Sequence, residues 1–267
     1  MPSKQRDPLS DFEKRSDTYL GKTRDVFVKG DGPAVIVISE IPGITPEVAD
    51  FARRVAAAGF CAVMPHLFGD PGRPVSAGYT AQSITYACIS REFATFAKGR
   101  SSPICDWLRA LARAEHERCG GTGVGVVGMC LTGGFALAMM VDDTVTAPVL
   151  SQPSLPFALG AERKTEIGLA DDELARVKER CDEGVCVLGL RFTHDPMVPA
   201  ERFARLRAEL GEHFIGVEID SSPGNPHGLA RTAHSVLSEE YRDEPGHPTN
   251  DAHALVVEHF EKYLLGA

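Results

Sequence analysis

The sequence has little positive charge for its length. Its 267 residues include 28 lysines and arginines against 37 aspartates and glutamates, so the formal net charge is -9. A nucleic acid or an anionic membrane surface would require a basic face on the protein. The charge balance therefore argues against both kinds of partner and favours small molecules.

The sequence also lacks a long apolar run. The first twenty residues are polar and charged, and no later segment reaches the length of about 18 apolar residues that a membrane-spanning helix needs. We therefore expect no signal peptide, no membrane span and a cytoplasmic location.

Paired cysteine motifs are absent as well. The seven cysteines are an odd number, show no C-x-x-C spacing and mostly lie in apolar segments, such as the one around Cys61. This pattern is typical of reduced core thiols, and it differs from a disulfide framework or a zinc site.

Short apolar segments alternate with helical patterns along the chain. Strands are predicted at 34–39, 61–67, 123–130, 185–192 and 214–220, with helices between them and a closing helix after residue 250. This order is typical of a mostly parallel sheet with helices on both faces. We expect one α/β domain over residues 1–267, with an excursion at about 153–181 that forms a partial lid.

The segment GMCLTGG, residues 128–134, falls where a predicted strand passes into a helix. A nucleophile at this position sits on a tight turn, so small residues must flank it. The N-terminus of the following helix favours a thiolate and the oxyanion that forms later. We predict that Cys130 is a nucleophile. The alternative is a buried small residue before a loose glycine-rich turn.

An acid and a histidine follow the nucleophile in the chain order expected of such enzymes. Asp195 comes directly after the strand at 185–192, where a carboxylate can orient an imidazole. Capping of the next helix is the alternative role, but Pro199 and Ala200 place that cap several residues further on.

Five histidines follow the last predicted strand: His227, His234, His247, His253 and His259. The last two belong to the terminal helix. His227 lies in a short glycine- and proline-containing loop that can bring its ring over the sheet edge toward the nucleophile. We predict His227 as the catalytic histidine, with His234 and His247 as alternatives.

Several segments together resemble the dienelactone hydrolases, a family of the α/β-hydrolase fold. They are SEIPG (39–43), MPHLF (64–68), GMCL (128–131), DPMVP (195–199) and HGLART (227–232), and the similarity extends from about residue 23 to the C-terminus. The resemblance implies an esterase of the carboxymethylenebutenolidase type that cleaves an enol lactone or an activated carboxylic ester.

The resemblance further implies a triad of Cys130, Asp195 and His227, with Glu40 beside the resting thiol. The thiolate would attack the carbonyl carbon, and water activated by the histidine would hydrolyse the thioester, so no metal or organic cofactor is expected. Glu40 is notable in its own right, because a glutamate at the end of the apolar strand 34–39 needs a partner for its charge. The alternative is a carboxylate that reaches water at the sheet edge.

The resemblance places the oxyanion hole at the backbone N–H groups of Ile41 and Leu131, and a substrate carboxylate at Arg231. The sequence departs from the family at Thr132 and at residues 191–194, where the family often has glycine. The segment 69–100, which includes Arg91 as a further candidate, does not align with the family's substrate-binding residues.

Two hypotheses of other classes remain open. The chain could be a non-catalytic binding or sensor protein on a hydrolase fold, because a fold does not fix a function. Cys130 could instead be a redox-sensing thiol, which would require Cys61 or Cys186 to lie near it in space.

Overall fold

The computed structural model describes residues 5–89, 102–155, 157–158 and 160–266, which contain one eight-stranded sheet. The strands are β1 (Glu13–Tyr19), β2 (Lys22–Lys29), β3 (Ala34–Ile38), β4 (Cys61–Pro65), β5 (Val124–Met129), β6 (Val145–Ser151), β7 (Val187–Phe192) and β8 (Phe214–Ile219). Their order in the sheet is β1-β2-β4-β3-β5-β6-β7-β8. Strands β3 to β8 are parallel to one another, and β1 and β2 are antiparallel additions at one edge. The prediction of a mostly parallel sheet is confirmed.

Helices cover both faces of this sheet. They are α1 (Pro46–Ala57), α2 (Ala77–Ile89), α3 (Pro103–Cys119), α4 (Gly133–Met139), α5 (Ala161–Lys164), α6 (Asp171–Asp182), α7 (Ala200–Leu210) and α8 (Pro248–Leu264). Apolar residues of α1 and α8 pack in one core cluster, while those of α3, α4 and α7 pack in a second cluster. The central strands are buried on both sides, which explains why β3 is apolar throughout.

The first helix shows how the sequence sets these boundaries. Thr45 caps α1 by accepting a hydrogen bond from the backbone N–H of Val48, and Pro46 occupies the first helical turn. Gly59 follows the end of the helix with a positive φ of 91°. The helix predicted from these residues is therefore confirmed.

The hairpin of β1 and β2 is absent from our predictions. β1 has the sequence EKRSDTY, which carries no alternation of apolar and polar residues because the strand lies at the edge of the sheet and is largely exposed. No helix among the described residues is both long enough and apolar enough to cross a membrane.

The predicted lid excursion between β6 and β7 contains the helices α5 and α6. Helix α6 packs against α4 and α7 and buries Val177 and Cys181, so this part of the excursion is a crossover helix of the sheet. Closure of the remaining residues over the site stays a prediction.

The parallel topology brings the functional candidates together. The carboxyl ends of β3, β5, β6 and β7 meet at one edge of the sheet, where they are followed by Glu40, Cys130, Gln152 and Asp195. Loops at this edge are the usual position of ligand sites in such sheets.

Candidate active site

Cys130 lies on a sharp turn between β5 and α4. It is the first residue of a 3-10 turn, Cys130–Thr132, and its φ of 54° is a conformation that non-glycine residues seldom adopt. A side chain at Gly128 would collide with the carbonyl group of Thr132, and one at Gly133 would collide with Pro153. The small residues that flank the cysteine are therefore required by the turn, as the sequence predicts.

Thr132, which departs from the family pattern, fastens this turn to the sheet. Its hydroxyl accepts a hydrogen bond from the backbone N–H of Met129 at 3.0 Å. It lies within donating distance of the carbonyl oxygens of Met129, at 2.9 Å, and of Ile38, at 3.0 Å. A hydroxyl at this position thus links the nucleophile turn to the neighbouring strand β3.

His234 is the histidine that pairs with the predicted acid. Its Nδ1 atom lies 2.6 Å from Oδ2 of Asp195, whose side chain is buried. The buried Nε2 atom of His234 has no hydrogen-bond partner in the described part of the chain, and the charge of Cys130 acts on the same imidazole. Cys130, His234 and Asp195 are thus grouped at this edge of the sheet, in the arrangement of a candidate triad.

The charges of this series act on the histidine. Burial lowers the pKa of His234, but the nearby charge of Cys130 and the hydrogen bond to Asp195 raise it well above its usual value. The site thus favours the protonated form of the imidazole.

The choice of His227 needs correction. Its ring is exposed and packs against the ring of His247, with 5.4 Å between their centroids, and its backbone N–H donates to Asn225. The chain after β8 passes through further turns in which Leu229 and Ala233 enter the core. These turns bring His234, which the sequence offered only as an alternative, to Asp195. His247 instead caps α8.

Arg191, another departure from the family pattern, supports the loop that carries Asp195. It is buried, its Nε donates to the carbonyl oxygen of Val198 at 3.0 Å, and its Nη2 donates to that of Thr193 at 2.9 Å. Glu218 forms an ion pair with the same guanidinium. Asp195 itself is held through Oδ1, which accepts from the backbone N–H of Met197 at 2.9 Å.

Glu40 binds the histidine loop, and among the described residues it makes no hydrogen bond to the thiol. Its buried carboxylate accepts from Ser235 Oγ at 2.7 Å, from Gln152 Nε2 at 3.1 Å and from the hydroxyl of Ser238. The expected partner of the buried charge is therefore a set of neutral donors. Among the described residues, the hydrogen bonds of Glu40 thus run to Gln152 and to the serines that follow His234, and its position beside the thiol stays a prediction.

Ser154 belongs to the site but does not appear among our predicted residues. Its Oγ atom lies 3.4 Å from Cys130 Sγ, and its backbone N–H donates to the carbonyl oxygen of Cys130 at 3.0 Å. Ser154 follows β6, so its position depends on the pairing of β5 with β6. No local motif marks it.

The sequence pattern of the dienelactone hydrolase family matches residues 17–264. The chain belongs to this family. A protein of Saccharomyces cerevisiae that carries the name carboxymethylenebutenolidase is 28% identical over 193 residues, which cover 70% of this chain and 67% of the yeast protein. The family consists of carboxylic ester hydrolases, and the enzyme class predicted from the sequence is confirmed at this level.

Solved structures of the dienelactone hydrolases share the fold. A protein of Klebsiella pneumoniae named as a dienelactone hydrolase has a TM-score of 0.65 at 18% identity, with 94% of this chain and 98% of that chain covered. The dienelactone hydrolase of Anabaena variabilis has a TM-score of 0.57 at 15% identity, covering 95% and 99%. The predicted α/β-hydrolase fold is confirmed.

The family also implies roles for Ile41, Leu131 and Arg231. Ile41 and Leu131 follow the neighbouring strands β3 and β5, at the edge that carries Cys130. Arg231 is exposed, three positions before His234, and forms no hydrogen bond or ion pair with a described residue. Their roles stay predictions. Arg91 lies outside the described residues.

The other described cysteines of this dienelactone hydrolase family member have partners away from Cys130. The six cysteines with described side chains are free thiols. Cys61 contacts Arg118 and Cys119, and Cys186 contacts His213 and Tyr263. Cys61 begins β4 and Cys186 directly precedes β7, at the amino ends of the strands, whereas Cys130 follows the carboxyl end of β5, so neither lies beside it as the redox hypothesis would require. The described residues contain no group of three or more side chains that could hold a metal ion.

Proposed function

We propose that the protein hydrolyses enol lactones or activated carboxylic esters through a thioester on Cys130, with His234 as the base and Asp195 as the residue that orients it. The observation that carries the proposal is the series from Cys130 through His234 to Asp195, in which the His234–Asp195 distance is 2.6 Å. A nucleophile, a base and an orienting acid in this order are the parts that covalent acyl transfer requires.

In the first half-reaction, the Cys130 thiolate attacks the carbonyl carbon of the substrate. The raised pKa of His234 keeps the imidazole protonated, so that it can donate its proton to the departing oxygen. The tetrahedral oxyanion would be held by the backbone N–H groups of Ile41 and Leu131. Ring opening of a lactone, or loss of an alcohol from an ester, then leaves a thioester.

The second half-reaction follows from the same charges. Once Cys130 is acylated, the thiolate no longer exists and its charge no longer raises the pKa of His234. Burial then favours the neutral imidazole, which can accept a proton from an attacking water. Formation of the thioester thus converts His234 from an acid to a base without a change in conformation.

The sulfur nucleophile restricts the substrate. A thiol, with an ordinary pKa of about 8.5, is a far weaker base than an alkoxide, so a tetrahedral intermediate that carries both expels the thiolate. Enol lactones and aryl esters have delocalised leaving oxygens and proceed to the thioester. Simple alkyl esters should therefore be poor substrates.

A carboxylate on the substrate would bind Arg231. This proposal is supported by the exposure of Arg231 and by its place three residues before His234 in the same loop. A charge-assisted pair there would fix the substrate carbonyl against the thiol.

Glu40 acts on His234 through the loop that carries it. The carboxylate at the end of β3 accepts hydrogen bonds from Ser235 and Ser238, the first of which directly follows His234. Gln152, at the end of β6, donates to the same carboxylate. Glu40 is therefore a positioning residue in this proposal, and its loss would displace the imidazole from the thiol.

Trapping of the acyl-enzyme tests the proposal. A phenyl ester or an enol lactone is mixed with the protein, quenched in acid within milliseconds and analysed by peptide mass spectrometry. We expect one acyl group, located on Cys130, and its accumulation in Asp195→Asn because hydrolysis is slowed.

Ser154 provides the matched control for this experiment, because its oxygen is the nearest alternative nucleophile. Ser154→Ala should still accumulate the acyl group on Cys130. An acyl group on Ser154, or turnover that persists in Cys130→Ala, would refute the thioester mechanism.

A further inference from the structure

Two cysteines lie side by side at the edge of the sheet opposite the candidate active site. Cys61 is the first residue of β4, and Cys119 is the last residue of α3, so both lie at the amino ends of the parallel strands. Each thiol lies close enough to the other to affect its ionisation. The mechanism proposed above uses neither residue.

A fixed cation adjoins this pair. Arg118 Nη2 donates to Cys61 Sγ at 3.0 Å. The guanidinium is held in place by Glu115, which accepts from its Nε at 2.9 Å and from its Nη2 at 2.6 Å. Glu115 is itself buried and forms a further ion pair with Arg15. The cation is therefore part of a network that keeps it against the sulfur.

The pair differs chemically from the buried thiols elsewhere in the molecule. The neighbouring Cys119 thiol lowers the pKa of Cys61, and the guanidinium of Arg118 adds to this effect against the opposing effect of burial. Burial raises the pKa of Cys105 to about 12 and that of Cys181 to about 11. Only a thiolate reacts readily with an oxidant, so these two cysteines are internal references for Cys61.

We propose that Cys61 and Cys119 are a redox-active dithiol that hydrogen peroxide converts to an intramolecular disulfide. The Cys61 thiolate attacks one peroxide oxygen and breaks the O–O bond, which gives a sulfenic acid and, after protonation, one water. The Cys119 sulfur then attacks the Cys61 sulfur and releases the second water. Two thiols and one peroxide thus give one disulfide and two waters.

The positions of the two thiols assign these roles. Cys61 is fully buried and lies against the cation, which suits the peroxide-reactive thiolate. Cys119 is half-buried, and the Arg118 side chain is 43% exposed, so a small oxidant reaches the pair from this side. The disulfide would join Cys61 at the start of β4 to Cys119 at the end of α3, where the two thiols are neighbours.

Peptide mapping without reduction tests the proposal in the full-length protein. After brief treatment with hydrogen peroxide and alkylation of the remaining thiols, we expect a linked peptide that joins Cys61 to Cys119, while Cys105 and Cys181 stay reduced. Absence of this link, or equal oxidation of Cys105 and Cys181, would overturn the proposal.

Two variants at the accessible side separate the roles without altering the buried Cys61. Cys119→Ser keeps a hydrogen-bond donor but cannot form the disulfide, so dimedone should trap a sulfenic acid on Cys61. Arg118→Gln should slow formation of the link by at least about threefold at neutral pH, because the thiolate is less populated. A Cys119→Ser protein that yields no dimedone adduct on Cys61, or an Arg118→Gln protein that oxidises at the wild-type rate, would contradict the assigned roles.

Discussion

The nucleophile turn at 128–134 and the histidine loop at 227–238 are held by different kinds of contact. The turn has bonds within its own segment, since Thr132 bonds to Met129 on both its amide and its carbonyl group, and Thr132 also bonds to Ile38 of the adjacent strand β3. The loop is held from distant strands, because its bonds run to Glu40, Gln152 and Asp195. The turn therefore takes part of its geometry from one short segment, whereas the loop acquires its geometry only when the sheet is assembled.

Replacement of the two histidines should show the largest difference in kcat between variants of the histidine loop. We expect His234→Ala to lower kcat by about 10³-fold or more, because it removes the base, and His227→Ala to change kcat by less than about twofold. The measurement is kcat and KM on a phenyl ester, with thermal melts of both variants beside wild type. Equal losses in the two variants would mean that the loop acts as a whole and that His234 has no special role.

Loosening the histidine loop should have an intermediate effect. The variant Ser235→Ala/Ser238→Ala removes two donors to the Glu40 carboxylate, and we expect kcat to fall by about tenfold to a hundredfold while KM changes little. The pH at which Cys130 becomes reactive toward iodoacetamide should rise in the same variant, because the imidazole is no longer held beside the thiol.

Ser102→Ala is the matched control for this variant. Ser102 is a buried serine that caps α3, so its loss costs about 1 kcal/mol of stability without contact with the site. The contrary result is a loop variant that is destabilised as much as Ser102→Ala while it keeps the kcat and the iodoacetamide pH profile of the wild type. That result would show that Glu40 has only a structural role.

The smallest expected effect concerns stability, away from the site. Burial is the main cause that lowers the pKa of His253 and of His259 to about 4 in the folded protein. The unfolded chain binds these protons near pH 6.5, so the stability contribution is complete above that pH and is lost as the pH falls toward 4. Each histidine should account for about 2 kcal/mol of the loss between pH 7.5 and 5.

Denaturant unfolding of wild type and His259→Gln at both pH values measures this effect. The variant should start less stable at pH 7.5 but lose less stability on acidification. A loss equal to that of wild type would show that His259 does not titrate on unfolding in this range.

Features that depend on local residue patterns could be predicted from the sequence. The parallel sheet, the helix at Pro46 and the turn around Cys130 depend on local residue patterns, and all three agree with the structure. Asp195 was predictable because it directly follows a strand. The histidine could not be chosen from the sequence. The number of residues between β8 and the histidine that reaches Asp195 depends on where Leu229 and Ala233 enter the core.

Two further features, strand β1 and the position of Ser154, could not be predicted from the sequence. The exposed edge strand β1 has no apolar face to mark it, and Ser154 reaches Cys130 only through the pairing of two strands. Apolar residues at positions 233, 236 and 237 stand around His234 and are buried. Because His253 and His259 have similar apolar neighbours, this pattern did not distinguish His234.

Measurement of the pKa of the His234 imidazole tests whether Cys130 and His234 are electrostatically coupled. NMR titration of the histidine ring signals should give a value well above 6.5 in the resting protein, because Cys130 and Asp195 stabilise the imidazolium. In Cys130→Ser, or after alkylation of Cys130, the value should fall, since the thiolate charge is gone. A His234 pKa that stays the same when Cys130 is replaced would contradict the coupling of nucleophile and base on which the proposed mechanism depends.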